Sequence, residues 1–387
     1  MKKLVFSLAF LATIFTGCSS DDDETSTPIV PVVGEITGDL ATSKTFAYGN
    51  YTLKGIVKIQ SGITITFDAG STITANATDG VDALVVLNGG KLIMNGTAAE
   101  PIVMTETSKT PGSWGGIIMY GDAPIVGASG VTTANSEDGL ALPYGGTNST
   151  HNGGSLKYVR VEYAGKKITD GTSEMNGFSF YSVGSGTVLE NLVSYKGADD
   201  GFEFYGGTVS LKNAISYGNF DDSFDWQDGW RGQDNTNWYA YQTGTANFGM
   251  EIECKSFNNA FFPKVTNITL KRAAGTATEN ASIEYDAIQF KKEGNGDFSN
   301  ILIDGYSATG AVAVRIQDAA TNTNQVIGGK IKLTNVKING TTTASGSGAS
   351  SFSVVFPANM FTLSATATGS SLTSGAWSTV GSATLIQ

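Results

Sequence analysis

The stretch Gly197-Ala-Asp-Asp-Gly-Phe-Glu-Phe-Tyr-Gly-Gly207, taken with Asn219-Phe-Asp-Asp-Ser-Phe-Asp-Trp-Gln-Asp-Gly-Trp230, decides the fold. The second segment rewrites the first. Leu189-Glu190-Asn191 returns as Leu211-Lys212-Asn213, Tyr195 as Tyr217, and Asp199-Asp200-Gly201-Phe202 as Asp221-Asp222-Ser223-Phe224, each 22 residues on. Phe202-Glu203-Phe204-Tyr205 and Phe224-Asp225-Trp226-Gln227 alternate apolar and polar residues, the period of a strand with one buried face. A strand-bearing repeat of this length stacks on its neighbours, so the pattern predicts a solenoid of β-coils.

A second pattern extends the stack. The form apolar-x-Asn-apolar recurs at Leu189-Glu-Asn-Leu, Leu211-Lys-Asn-Ala, Val265-Thr-Asn-Ile, Phe298-Ser-Asn-Ile and Leu333-Thr-Asn-Val. Asn191 and Asn213 are expected to pair their amides in an interior ladder. Upstream, Gly55-Ile-Val-Lys-Ile, Ile63-Thr-Ile-Thr-Phe and Lys91-Leu-Ile-Met read as short strands bounded by Gly and Asn. The apolar pattern lapses from Gly127 to Gly154, which reads as a long loop projecting from the coils. Beyond Gly340 the chain turns Ser-, Thr- and Gly-rich, with Phe352, Phe356, Phe361 and Trp377 as isolated anchors. That composition suits an irregular cap on an open solenoid end.

The 387 residues include 49 glycines, and only 15% of them are charged, which favours an all-β chain with many tight turns. The 35 acidic residues outnumber the 24 basic ones, so a nucleic-acid surface is excluded and cations or basic partners are favoured. After Lys2 and Lys3 an apolar run ends in Phe15-Thr16-Gly17-Cys18, which resembles a bacterial lipoprotein signal cleaved before an acylated Cys18. Ser19-Ser-Asp-Asp-Asp-Glu24 follows, resembling the acidic tag that sends Bacteroidetes lipoproteins to the outer face of the outer membrane. Cys254 is left without an intramolecular partner and is expected inside.

Pro111-Gly-Ser-Trp-Gly-Gly-Ile-Ile-Met-Tyr-Gly-Asp-Ala-Pro-Ile125, Gly89-Gly-Lys-Leu-Ile-Met-Asn-Gly-Thr97 and the opening repeat together resemble a family of Bacteroidetes surface lipoproteins. The resemblance implies an all-β, right-handed, single-stranded parallel β-helix of pectate-lyase-like fold, with loop insertions and an irregular C-terminal cap. The expected divisions are a signal peptide at 1–17, a tether at 18–34, the β-helix at 35–340 and the cap at 341–387. No activity comes with the family.

The candidate chemistry lies on outward positions of the repeat. One column is expected to read Ser179, Glu203, Asp225, Glu251, Gln289, Ala313, and the next Tyr181, Tyr205, Gln227, Glu253, Lys291, Arg315. Carboxylates stacked about 4.8 Å apart repel by about 3 kcal/mol per pair at an effective dielectric near 20, and solvent, protons, cations or nearby bases must offset that. At the turns, Asp199, Asp200, Asp221 and Asp222 cap backbone, hold a hard cation such as Ca²⁺, or act in catalysis; the three readings are open. Asp200-Gly201, Asp221-Asp222 and Arg315-Ile316 resemble in outline the signatures of β-helix polygalacturonases, which implies paired carboxylates, although the histidine motif of those enzymes has no counterpart. The single histidine, His151, is expected exposed on the long loop. Trp230, Trp238, Tyr239 and Tyr241 are expected on a loop between coils, where they either stack on sugar or pack onto the coil flank. The ligand-binding candidates are Glu203, Tyr205, Asp225, Trp230, Glu251 and Glu253. The expectation is a surface-exposed lipoprotein, anchored to the membrane at Cys18, that binds a glycan or a protein partner. The alternatives are a lyase or hydrolase acting on uronate-rich polysaccharide, and a non-catalytic structural surface component.

Overall fold

An extended chain that meets a residue in the left-handed conformation changes direction there, and asparagine is one of the few non-glycine residues that enters that region readily. Six long strands are built this way: Val188–Tyr195, Leu211–Tyr217, Asn235–Gln242, Lys264–Arg272, Gly296–Asp304 and Ile331–Asn339. Their internal asparagines 191, 213, 237, 267, 300 and 335 all have φ between 55 and 61°. Tyr158, with φ 50°, does the same in Gly154–Glu162. The halves of that strand pair with two different predecessors, Lys91–Asn95 before the bend and Ile102–Glu106 after it. Each bent strand therefore lies in two sheets, one on either side of a corner.

A third sheet, called the site face below, is built from Ile117–Tyr120, Phe178–Tyr181, Phe202–Tyr205, Phe224–Gln227, Met250–Ile252, Ile288–Phe290 and Val314–Ile316, all parallel. The computed structural model, a parallel β-helix, describes residues 30–387 apart from 77, 79, 169–172, 256–260, 280–283, 341–342 and 349–351. The signal segment, Cys18 and most of the tether lie outside the described residues. Inward side chains of successive coils stack like on like, with ring centroids of Phe178 and Phe202 5.0 Å apart and those of Phe202 and Phe224 5.4 Å apart. Cys254 is buried and is a free thiol among the described residues.

The amide ladder runs along the half-buried corner rather than through the interior. Asn213 Nδ2 donates to Asn191 Oδ1 at 3.0 Å and Asn237 Nδ2 to Asn213 Oδ1 at 3.0 Å. Further on, Asn300 donates to Asn267 at 2.8 Å and Asn335 to Asn300 at 3.2 Å. Asn237 escapes the sequence pattern because Asn235 stands where the other copies have Leu, Val or Phe.

The long loop does not project. Its Tyr144 is buried, with Leu140 and Leu142 packed beside it, against Tyr120, Tyr181 and Tyr205 on the outer side of the site face. Tyr120 donates to Asp138, and Tyr144 to Asp228. His151, expected exposed, is 4% exposed, and burial pushes its imidazole pKa down.

The segment 341–387 divides in two. Ser345–Ser347 and Phe361–Leu363 add strands beside Val314–Ile316 and Ile331–Asn339, and Phe352, Phe356 and Phe361 pack on the interior. The rest returns along the outside of the coils. Thr368 N donates to Asn300 Oδ1 at 2.9 Å, Ser371 N to Asn237 Oδ1 at 3.3 Å, and Arg160 Nη1 to the Ala376 carbonyl at 3.0 Å. Trp377 and Leu385 end buried against Tyr163, Tyr195 and Tyr239.

Candidate functional site

The register of the site face sets the acidic column. Ser179 stands opposite Glu203, Glu203 opposite Asp225, Asp225 opposite Glu251, and Glu251 opposite Gln289. The next partner is Arg315, not Ala313. Val312, Val314 and Ile316 are all buried, and a two-residue slip keeps every side chain on its own face, so alternation alone could not choose between the two registers. Arg315 is held by both oxygens of Asp286, at 2.7 and 3.0 Å, and by the Ser347 and Gly310 carbonyls. That leaves it a structural tie, unsuited to act as a base.

The turn aspartates enter the same place. Asp200 Oδ1 accepts from Asp222 N at 2.8 Å, and Asp222 Oδ1 accepts from Phe248 N at 2.6 Å, so each caps the turn of the next coil. One oxygen of each is thereby spent on the backbone and the other is fixed in direction. Asp200, Asp221 and Asp222 converge with carboxylate oxygens within 4.8 Å of one another, as do Asp200, Glu203 and Asp225, and Asp222, Asp225 and Glu251. Asp199 turns to a separate trio with Glu174 and Asp221.

These groups line a polar groove of about 580 Å³, with Glu253 and Tyr205 at its side. Loops contribute Glu137, Glu174, Glu279, Asn176 and Asn247, which the repeat pattern could not reveal because they lie outside it. The lysines in the groove are Lys167, Lys255, Lys291 and Lys292. Lys291 binds Glu251 and stands 3.4 Å from Glu253, and Lys292 reaches Glu253 at 2.9 Å. Glu203 accepts from three donors, Asn176 at 2.6 Å, Gln227 at 2.9 Å and the Tyr205 hydroxyl.

Burial, then the charge of Glu137, pushes the Glu203 pKa up to about 8, and burial with Glu251 pushes Asp221 to about 7. Asp199, Asp200, Asp222 and Asp225 are also raised well above the usual carboxylate range, first by burial and then by neighbouring carboxylates. Burial disfavours charge on Lys291, but Glu251 and Glu253 outweigh it and hold its pKa above normal.

Two aromatic candidates change role. Trp230 is 0% exposed: its Nε1 donates to the Val209 carbonyl at 3.0 Å and its ring stacks on Phe204 at 4.4 Å. Positive φ at Asp228 and Gly229 turns the chain so that the indole enters the core instead of a sugar site. Trp238 and Tyr239, also expected on a loop, lie buried in the strand Asn235–Gln242. Tyr205 faces outward but is covered by the long loop, at 2% exposure, and serves to orient Glu203.

A second cavity of about 630 Å³ continues the groove along the site face, sharing Glu251, Glu284, Lys291 and Lys292 and adding Gln289, Arg315 and Gln317. A larger hollow of about 980 Å³ opens elsewhere, beside Lys212, Lys264 and Phe262. Its charges are largely tied to one another, as in Lys212–Asp234 at 2.5 Å and Lys332–Asp297 at 3.4 Å, so it lacks the convergent chemistry of the site face.

Among solved structures, the crystal structure of the Dettilon tailspike protein (gp208) is similar at 11% identity with a TM-score of 0.30, over 80% of this chain and 62% of that one. The chain thus spans less than two thirds of that tailspike. No curated protein matches the sequence. Residues 34–380 match the pectate-lyase like beta helix domain, nearly the whole solenoid with its returning strap, and the chain belongs to that family.

Proposed function

We propose that this protein is a surface scaffold, lipid-anchored at Cys18 on the outer face of an outer membrane, whose site-face groove binds a hydroxyl-rich glycan. The observation that carries the binding reading is the continuity of the two cavities, which form one trough along stacked coils. Carboxylates accept hydrogen bonds from sugar hydroxyls, while Gln289, Gln317 and the lysines can donate. Uronates would be repelled by the acidic half of the trough, so neutral or amino-bearing sugars fit it better. No exposed aromatic platform lines the trough among the described residues, so recognition rests on polar contacts.

The test is a glycan array followed by titration calorimetry, comparing the wild type with Glu203→Gln/Glu251→Gln. Retained fold with affinity about tenfold weaker supports the reading. Null results on the array, or an unchanged affinity in the variant, remove it. Anchoring is checked by fatty-acid labelling, which Cys18→Ala should abolish.

The convergence of Asp200, Asp221 and Asp222 favours a second reading, paired-carboxylate glycoside hydrolysis. Hydrolysis of a polysaccharide panel that disappears in Asp221→Asn would support it; no turnover on the panel leaves binding alone.

A further inference from the structure

We infer that Asp225 is the central ligand of a hard divalent-cation site of the Ca²⁺ class, set between Asp200 and Glu203 on one side and Asp222 and Glu251 on the other. This rests on reading the site-face groove as the binding site and names the ion that completes it.

The inference comes from what each carboxylate already does. Glu203 accepts from three donors, and Glu251 is held by Lys291. Asp200 and Asp222 each spend Oδ1 on the backbone of the next coil, at 2.8 and 2.6 Å, which leaves the second oxygen held in place. Asp225 differs from all four. It is only 8% exposed, yet among the described residues its Oδ1 has no hydrogen-bond partner and the residue forms no ion pair within 4 Å.

It is also the one residue shared by the trios Asp200/Glu203/Asp225 and Asp222/Asp225/Glu251, in each of which the carboxylate oxygens lie within 4.8 Å of one another. Oxygens that close, two of them steered by backbone bonds, form a pre-oriented all-oxygen donor set, and a large hard cation tolerates its irregular geometry. Lys291 neutralises Glu251 but cannot offset the rest of the cluster. The alternative to a cation is protonation, which agrees with the upward pKa shift of Asp225 caused by burial and by Glu203. The two compete, so cation binding should weaken as pH falls. Sugar hydroxyls in the trough can fill the remaining coordination positions, which links the ion to the glycan.

The experiment is titration calorimetry of the full mature chain with CaCl₂ alone, after EDTA dialysis at pH 7.5, on the wild type, Asp225→Asn and Asp234→Asn. Removing a central Ca²⁺ ligand should weaken binding by about tenfold or more, whereas Asp234→Asn, in the larger hollow and outside the groove, should change it by no more than about threefold. In a thermal scan, Ca²⁺ should raise the Tm of the wild type but not that of Asp225→Asn. The inference is overturned by an absence of saturable heat at millimolar Ca²⁺ or by equal affinity in Asp225→Asn. Glycan titrated in EDTA separates the two readings. Glycan binding without any Ca²⁺ response ends the cation site and keeps the groove, and a Ca²⁺ response with no glycan binding does the reverse.

Discussion

Along the corner, Asn191, Asn213 and Asn237 pass one amide hydrogen bond from coil to coil at 3.0 Å. Along the site face, Glu203, Asp225 and Glu251 stand opposite one another in the same succession of coils. An amide both donates and accepts, so identical neighbours satisfy each other. A carboxylate only accepts, so each must find donors elsewhere. Glu203 finds them in Asn176, Gln227 and Tyr205, and Glu251 finds Lys291. Asp225 finds none for its Oδ1 among the described residues. Stacking multiplies whatever is repeated, so the amide column becomes a seam and the acidic column leaves a buried oxygen unmet.

The largest expected effect comes from breaking the seam. Asn213→Val removes two amide bonds and puts a β-branched residue at φ 57°, and should cost about 3 kcal/mol or more in urea unfolding. Asn213→Asp keeps the backbone preference but loses the donor, and should cost about 1–2 kcal/mol. An Asp variant as damaging as the Val variant would mean that the side-chain bonds, not the corner conformation, dominate.

A third expectation concerns pH. Glu203, at about 8, and Asp221, at about 7, keep protons in the native state that the unfolded chain releases near pH 4. The native state therefore binds more protons across that window, and stability falls as pH rises through it, being fully present only below about pH 4. In EDTA the Tm should fall from pH 5 to pH 8; a rise would show that these carboxylates are paired rather than stranded. The smallest effect is a gain. At pH 8 in EDTA, Asp225→Asn removes a buried carboxyl with an unpartnered oxygen, which is costly whether it is kept protonated or charged, and should stabilise the fold by about 1 kcal/mol, whereas the same exchange in reverse at Asn213 destabilises it.

Much of the fold was legible because a 22-residue copy and period-two alternation both follow from stacked coils. The succession Glu203, Asp225, Glu251, Gln289 follows from the alternation alone, and the pairing of Asn191 with Asn213 from the 22-residue spacing. What failed did so for physical reasons. The register at Arg315 is degenerate to a two-residue slip, and Trp230 follows a turn at Asp228 and Gly229 that no periodicity announces. Glu137, Glu174 and Asn176 come from insertions that obey tertiary packing rather than the repeat.

The returning C-terminal strap has a consequence for assembly. In a solenoid whose coils touch only their neighbours, an inserted or lost coil goes unnoticed by the rest, and folding can begin anywhere. Here the strap meets Asn300, Asn237, Arg160 and Ala98 in that order, counting backward down the stack. It can dock only when every intervening coil is present and in register. The strap is therefore a length gauge, closing over a correctly counted stack and over no other.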